Sequence, residues 1–166
     1  AKKKVRLFAR SILILKTALR NLAAVVIVMP LFSCAGSKPT NLGVKDSRMA
    51  PCPPTPNCVS SDATDAAHLV TAFQLAVPST DGWRTARAAG ANLPRTRIVS
   101  ETDEYLHAEC SSAVFGFVDD IELHLRPVQG IVAVRSAARL GHSDFGVNRK
   151  RVEKLRLLLR NQVVIR

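Results

Sequence analysis

Between Tyr105 and Arg151 the chain reads YLHAECSSAVFGFVDDIELHLRPVQGIVAVRSAARLGHSDFGVNRKR, and most of its alternating apolar pattern lies here. In residues 105–110 and again in residues 120–125, apolar side chains alternate with polar ones at a period of two. This period is typical of a β-strand that buries one face and keeps the other polar. The two segments therefore predict two neighbouring strands whose apolar faces meet one core.

Two further strands are predicted beside this pair. Residues 131–136 are rich in β-branched side chains and follow a segment that contains Pro127 and Gly130, which is typical of a hairpin turn. Residues 96–100 read TRIVS and form another short β-branched run. Together these segments predict an antiparallel sheet of about four strands.

The turns also predict how the strands pair. A two-residue turn at 128–129 places Glu122 opposite Arg135, and matching the apolar faces of the first two strands places His107 opposite Glu122. The result is a row of polar side chains across three strands. A slip of one residue would move every apolar side chain to the wrong face, so it is disfavoured. A slip of two residues stays open, and it would put His107 beside His124.

Two helices complete the predicted domain. An apolar stripe that starts at Trp83 has helical spacing and is ended by Pro94. A second stripe predicts a C-terminal helix over about 146–161. Asn148 lies on the inward side of that helix, where an unpaired amide is costly, so we predict a hydrogen bond to residues 135–138. The fold class is α+β, a single domain with helices packed on the apolar face of the sheet.

Basic residues are concentrated at the start of the chain. The 166 residues carry a formal net charge of +11, and residues 1–33 contain seven Lys or Arg and no Asp or Glu. The rest of the chain has a net charge of only +4. Because the excess belongs to a leader segment, it is weak support for nucleic-acid binding, and we expect no nucleic-acid partner.

The leader has the layout of a secretory signal. An apolar run of twelve residues, Leu22–Ser33, is too short to span a bilayer as a helix and is typical of a signal peptide. The sequence LFSCAG at 31–36 resembles a bacterial lipobox, in which the cysteine is acylated and becomes the first mature residue. We predict a lipoprotein signal peptide over 1–33 and a lipid at Cys34. A plain signal peptide and an uncleaved signal anchor remain alternatives.

The leader also fixes the expected compartment. Residues 34–50 are polar and without periodicity, so they predict a flexible tether. Residues 51–166 are enough for one domain with one core. The predicted protein lies in the cell envelope, is held on the membrane by the lipid at Cys34, and places its domain in the periplasm.

Cysteine usage agrees with an exported protein. Cys52 and Cys58 flank a proline-rich loop and predict a disulfide, although a metal clip is a second interpretation. Cys110 falls on the apolar face of its strand and is expected to be a buried thiol. Its pairing with Cys58 is a minor alternative.

Five spaced blocks of this sequence resemble one known family. In chain order they are CPPTPNCVSS at 52–61, YLHAE at 105–109, FGFVDDIE at 115–122, VRSA at 134–137 and SDFGVNRKRVE at 143–153. They resemble the family called domain of unknown function 1499, over about 51–159. The resemblance implies a protein of a family that is found in bacteria, where its members are often exported or lipidated, and in photosynthetic eukaryotes. It implies no activity, cofactor or catalytic set.

The candidate site is the polar face of the sheet. Its predicted members are His107, Glu122, His124 and Arg135, flanked by Asp119, Asp120, Asp144, Asn148 and Arg149. With no nucleophile motif and no phosphate loop, this face is best interpreted as the groove of a binding or assembly module. Its partner would be another envelope protein, and no cofactor is expected.

Three other interpretations stay open. His107 or Glu122 could be the general base of an enzyme in which Arg135 holds an anionic group. The side chains of His107, Glu109, Glu122 and His124 are chemically suitable zinc ligands. The polar row could also be a solvated face without a ligand, because antiparallel sheets often leave one face wet.

Overall fold

The computed structural model of the protein describes residues 36–166. The predicted signal peptide over 1–33 and the predicted lipid at Cys34 lie outside the described residues. The strands, in chain order, are β1 (Val44–Lys45), β2 (Arg48–Met49), β3 (Cys58–Ser60), β4 (Phe73–Gln74), β5 (Thr96–Glu101), β6 (Tyr105–Ser111), β7 (Val118–Arg126) and β8 (Ile131–Ala138). The helices are α1 (Ser79–Ala91) and α2 (Val147–Asn161). The predicted α+β class is confirmed.

The main sheet has six antiparallel strands in the order β3-β8-β7-β6-β5, with β4 also pairing with β8. The expectation of about four strands was wrong in number, although all four predicted strands are present. The strands that were missed, β3 and β4, have three and two residues. Segments this short carry no readable period, and only their pairing with β8 defines them.

The predicted registers are confirmed. His107 pairs with Glu122, and Glu122 pairs with Arg135, which excludes the two-residue slip. The turn between β7 and β8 differs from the expectation, because it is a four-residue loop instead of two residues. Its first three residues form a 3-10 helix, and Gly130 takes a left-handed conformation with φ 63°. The midpoint of the longer loop is unchanged, so the register is the predicted one.

Both helices pack on the apolar face of the sheet. Side chains of the two helices form one core cluster with the inward side chains of β6, β7 and β8. Close packing needs a glycine in α1, since a methyl group at Gly90 would lie 3.1 Å from Cδ1 of Leu123. Among residues 36–166 no helix is both long enough and apolar enough to cross a bilayer.

The opposite, polar face of the sheet is covered by the start of the described chain. We call residues 36–50 the strap. It contains the β1–β2 hairpin, and the N–H group of Gly43 donates a 2.8 Å hydrogen bond to Glu122 in β7. The N–H group of Met49 donates to the carboxylate of Asp62. The segment that we predict to be a flexible tether therefore contains an ordered hairpin in its second half.

Three cysteines, Cys52, Cys58 and Cys110, are arranged as predicted. Cys52 and Cys58 form a disulfide, and Cys110 is a buried free thiol that contacts the hydroxyl of Thr96 at 3.2 Å. Burial raises the pKa of the Cys110 thiol. Neither the metal clip nor a bond between Cys110 and Cys58 is therefore present.

The edge strand β5 is irregular. Its pairing with β6 shifts by one residue between Ile98 and Ser100, which is a β-bulge. The side chains of Arg97 and Glu101 are exposed on this strand. This end of the sheet therefore differs from the regular ladder in its centre.

Candidate functional site

His107, Glu122 and Arg135 lie side by side on one face of the sheet, as the registers predict. They are buried, with exposed fractions of 1%, 0% and 4%. The alternative of a solvated face was therefore wrong, and the face of the predicted groove is covered. The physical reason is the strap, whose backbone occupies the space above Glu122.

Glu122 is the centre of the first group of contacts. Its Oε1 accepts hydrogen bonds from the hydroxyl of Tyr105 at 2.7 Å and from the N–H group of Gly43 at 2.8 Å. Its Oε2 accepts a bond from Nη1 of Arg135 at 2.9 Å. Burial and the nearby Glu122 raise the pKa of Tyr105, so this phenol is a permanent donor at neutral pH.

Arg135 is only partly satisfied in this group. Its Nε has no hydrogen-bond partner among the described residues. A buried guanidinium of this kind depends strongly on its one carboxylate partner, because a buried charge without a partner is costly. The pair with Glu122 therefore holds the centre of the polar face together.

A second group of contacts surrounds Asp120. Its Oδ1 lies 2.7 Å from Nε2 of His107 and 2.7 Å from Nη2 of Arg139. The same guanidinium reaches Glu109 at 2.6 Å. Burial acts to raise the pKa of Asp120, but the hydrogen bonds from Arg139 and His107 outweigh it and hold this pKa below its usual value. Asp120 is therefore an ionised acceptor between two donors.

His124 stands apart from His107 on the same face. Its Nδ1 accepts a 3.3 Å hydrogen bond from Nε of Arg126, whose Nη2 reaches Asp62 at 2.6 Å. Burial and the charge of Arg126 lower the pKa of His124. This imidazole is therefore neutral near pH 7 and is not part of the His107 group.

Three predicted site residues gather on the opposite face, at the start of α2. Asn148 accepts a 2.6 Å hydrogen bond from the hydroxyl of Ser136, so its predicted contact with residues 135–138 is confirmed. Its side-chain amide donates to Asp144 at 2.8 Å. Asp119 pairs with Arg151 at 2.6 Å. The double aspartate at 119–120 is thus divided between the two faces of the sheet.

The environment of Asp119 differs from that of Asp120. Burial raises the pKa of Asp119, and the guanidinium of Arg151 offsets this effect only in part. Asp144 accepts bonds from the N–H groups of Gly146 and Asn148, so its carboxylate fixes the start of α2. These three residues stabilise the helix–sheet junction and do not face the polar row.

The expected position of Arg149 was wrong, and the alternative of a zinc site finds no support among the described residues. Arg149 does not join the polar face; its guanidinium donates to the carbonyl oxygens of Leu69 and Ala67 on the loop before β4. The proposed zinc ligands do not converge either. Within residues 36–166, no three His, Cys, Asp or Glu side chains are placed to hold a metal ion together.

A family model now accounts for most of the chain. The model described as "Protein of unknown function (DUF1499)" matches residues 48–159. The chain belongs to the DUF1499 family. No curated protein and no solved structure matches it. The family match includes every residue of the polar face described above except Gly43.

Cavities remain between the strap and the DUF1499 domain. One of about 310 Å³ is bounded by strap residues 38–43 and by Ser100, Tyr105 and His107. A larger cleft of about 820 Å³ lies between strap residues 40–50 and residues 62–65. Both volumes lie within the range of small-ligand sites. Of the predicted row, His107 is among the residues that line the smaller cavity.

Several residues of the DUF1499 polar face were missed from the sequence. Arg126 and Arg139 continue the period of two that runs through His124 and Arg135, so a longer count along β7 and β8 finds them. Tyr105 begins the polar series of β6 in the same way. No sequence pattern indicated Gly43 and Asp62, because their hydrogen-bond partners, Glu122 and Arg126, lie 79 and 64 residues away in the chain.

Proposed function

We propose that this DUF1499 protein is a lipid-anchored cell-envelope protein that acts as a binding or assembly module, with its domain in the periplasm. The observation that carries the proposal is the seating of the strap on Glu122. The strap begins two residues after Cys34 in the sequence, so the segment that follows the proposed anchor also covers the polar face. The proposed anchor and the segment that covers the proposed binding surface are therefore adjacent in the chain.

The contact between the strap and Glu122 supports recognition of a peptide segment by this face. A buried carboxylate accepts a backbone N–H group, which is a contact that any extended peptide segment can offer. The cleft beside the hairpin adds side chains of both signs, Lys45 and Arg48 opposite Asp62 and Asp65. This chemistry suits a polar segment of another envelope protein better than a nucleic acid, whose backbone is uniformly negative.

In vivo photo-crosslinking tests the binding role. A photoreactive amino acid replaces Lys45 at the cleft in one strain and Lys154, which is exposed on α2, in a control strain. We expect a specific protein adduct from position 45 and none from position 154. Equal labelling at both positions, or no adduct at position 45, would contradict the binding role.

The anchor has its own test. Mass spectrometry of the mature protein is expected to show an N-terminal Cys34 that carries acyl chains, and a Cys34→Ala variant is expected to lose this modification. Two or more acyl chains are needed for stable attachment, since one chain binds membranes only weakly. An unmodified Cys34 in membrane-bound protein would contradict lipid anchoring.

A second candidate function, general acid–base catalysis, is favoured by one observation. His107 borders the 310 Å³ cavity while Asp120 holds its other side at 2.7 Å, which is how a carboxylate orients a catalytic imidazole. Purified full chain would be screened against ester, phosphoester and glycoside model substrates. Turnover by the wild type that is lost in His107→Gln, but kept in His124→Gln, would support this function over the binding role.

A further inference from the structure

Two loops carry an unusual share of exposed apolar side chains. The loop between β6 and β7, residues 112–117, exposes Val114, Phe115 and Phe117, and the loop between β8 and α2 exposes Leu140 and Phe145. The exposed fractions of Phe115 and Phe145 are 70% and 89%. All three exposed phenylalanines of residues 36–166 lie in these two loops.

The two loops lie at the same end of the sheet. The N–H group of Arg139, which follows β8, donates to the carbonyl oxygen of Val118, which begins β7. Ser111 pairs with Val118, and Asp119 pairs with Ala138. The ends of β6, β7 and β8 therefore meet here. We call residues 112–117 and 139–147 together the apolar tip.

Packing of the domain core does not explain the backbone conformation and the exposed aromatic rings of the apolar tip. Phe145 has φ 53°, a left-handed conformation that is uncommon for residues other than glycine, and its ring is exposed. The rings of Phe115 and Phe117 lie 5.7 Å apart outside the core. Large apolar side chains that cluster on a surface mark a contact with another apolar phase.

The strap places the start of the described chain at this same tip. A methyl group at Gly36 would lie 3.0 Å from Cβ of Arg139 and 3.0 Å from Cγ of Leu140. Gly36 is two residues after Cys34 in the sequence. The described chain therefore begins at the apolar tip, close in sequence to the proposed acylation site.

We propose that the apolar tip rests in the interfacial layer of the membrane that holds the acyl chains, so that the sheet stands on the bilayer by this end. The proposal rests on the lipid anchor proposed above. The charges at the apolar tip favour contact with an anionic phospholipid surface. The one carboxylate in the two loops, Asp144, is engaged by the N–H groups of Gly146 and Asn148. Arg95, whose Nε donates to the carbonyl oxygen of Ser111, flanks the tip and supplies positive charge.

Depth-dependent quenching of tryptophan fluorescence tests this orientation. The full chain, produced with its leader in a bacterium that acylates lipoproteins, is reconstituted into vesicles of phosphatidylcholine and phosphatidylglycerol with or without brominated acyl chains. The variants are Phe115→Trp and Phe145→Trp at the tip, and Val128→Trp at the opposite end of the sheet. Val128 is fully exposed in the β7–β8 loop, so it is a matched control. The buried Trp83 gives a constant background that the unsubstituted chain measures.

We expect brominated lipid to reduce the emission of both tip tryptophans by about twofold or more, as for side chains that enter the interface, and to leave Val128→Trp unchanged. Vesicle flotation without tip quenching would overturn the docking and leave the anchor intact. Equal quenching at both ends would overturn the orientation. A blue-shifted but unquenched tip would show that protein, either a second copy or a partner, covers it, which also overturns the proposal. Loss of flotation would overturn the anchor and the docking together.

Discussion

The sheet carries two buried polar clusters, one on each face, and they differ in what covers them. On one face, the cluster that contains Glu122 and Asp120 is met by a strap of fifteen residues, whose backbone N–H groups donate to Glu122 and Asp62. On the other, Asp119 and Ser136 lie beneath the first turns of α2, whose Arg151 and Asn148 bind them and which belongs to the main core. The same alternation along β7 supplies both clusters with carboxylates.

This difference shows that the side-chain pattern of a strand does not decide its polar environment. Asp119 and Asp120 are neighbours in sequence, yet the pKa of one is raised and that of the other is lowered. Asp120 has donors in His107 and Arg139, whereas Asp119 has only Arg151 against a stronger effect of burial. The covering element and the number of donors decide which effect dominates.

The largest expected effect is at the centre of the strap-covered face. Glu122→Ala leaves the buried guanidinium of Arg135 without a carboxylate, and breaking a buried pair in this way costs about 3–5 kcal/mol of unfolding free energy. Urea unfolding of the full chain measures it. The matched control is Glu101→Ala, whose exposed pair with Arg87 is expected to be worth less than about 1 kcal/mol. Similar losses for both variants would show that the strap does not isolate Glu122 from water.

Asn148→Ala probes the cluster under α2 and should have a smaller effect. The substitution removes hydrogen bonds with Ser136, Asp144 and the carbonyl oxygen of Asn57. Buried groups left without partners cost about 1–3 kcal/mol, and thermal unfolding measures the loss. The exposed Asn161, at the end of the same helix, is the control, and Asn161→Ala should leave the melting temperature almost unchanged. A neutral Asn148→Ala would mean that water reaches this junction.

Gly43→Ala tests how the strap is held. Gly43 has φ 107°, so a side chain there is strained by about 1–2 kcal/mol and its hydrogen bond to Glu122 is weakened. The control is Gly116→Ala, which introduces similar backbone strain in a loop where the added methyl group would have no neighbour within 4 Å. We expect faster amide hydrogen exchange over residues 44–49 for Gly43→Ala only. Unchanged exchange there would show that the hairpin is held by Asp62 and not by Glu122.

The smallest expected effect is in the pH dependence of the unfolding free energy, which distinguishes Asp119 from Asp120. Ionised Asp120, whose folded pKa is lowered, contributes stability above the ordinary pKa of 3.8 that is lost as the pH falls through the folded value. Asp119, whose folded pKa is raised, contributes most below 3.8 and loses that contribution as the pH rises through the folded value.

The measurement compares unfolding free energies of the wild type, Asp119→Asn and Asp120→Asn over a pH series that spans 3.8. With falling pH, the advantage of the wild type over Asp120→Asn is expected to shrink, and its advantage over Asp119→Asn to grow. Slopes of the same sign would contradict the opposite environments.

Local sequence patterns were enough for the long strands, their registers and both helices. The pairing of His107 with Glu122 followed from matching apolar faces, since a period of two leaves little freedom. The burial of that pair did not follow, because it depends on Gly43, which lies 79 residues from Glu122 in the chain. A polar, aperiodic segment such as the strap has no pattern that shows where it binds.

The edge strand β5 has a consequence for how the protein behaves at high concentration. An unpaired edge can recruit a strand from a second molecule and begin an aggregate. The bulge between Ile98 and Ser100 interrupts the row of donors and acceptors, and the exposed charges of Arg97 and Glu101 oppose an incoming copy. This side of the sheet is therefore protected against fibre-like growth.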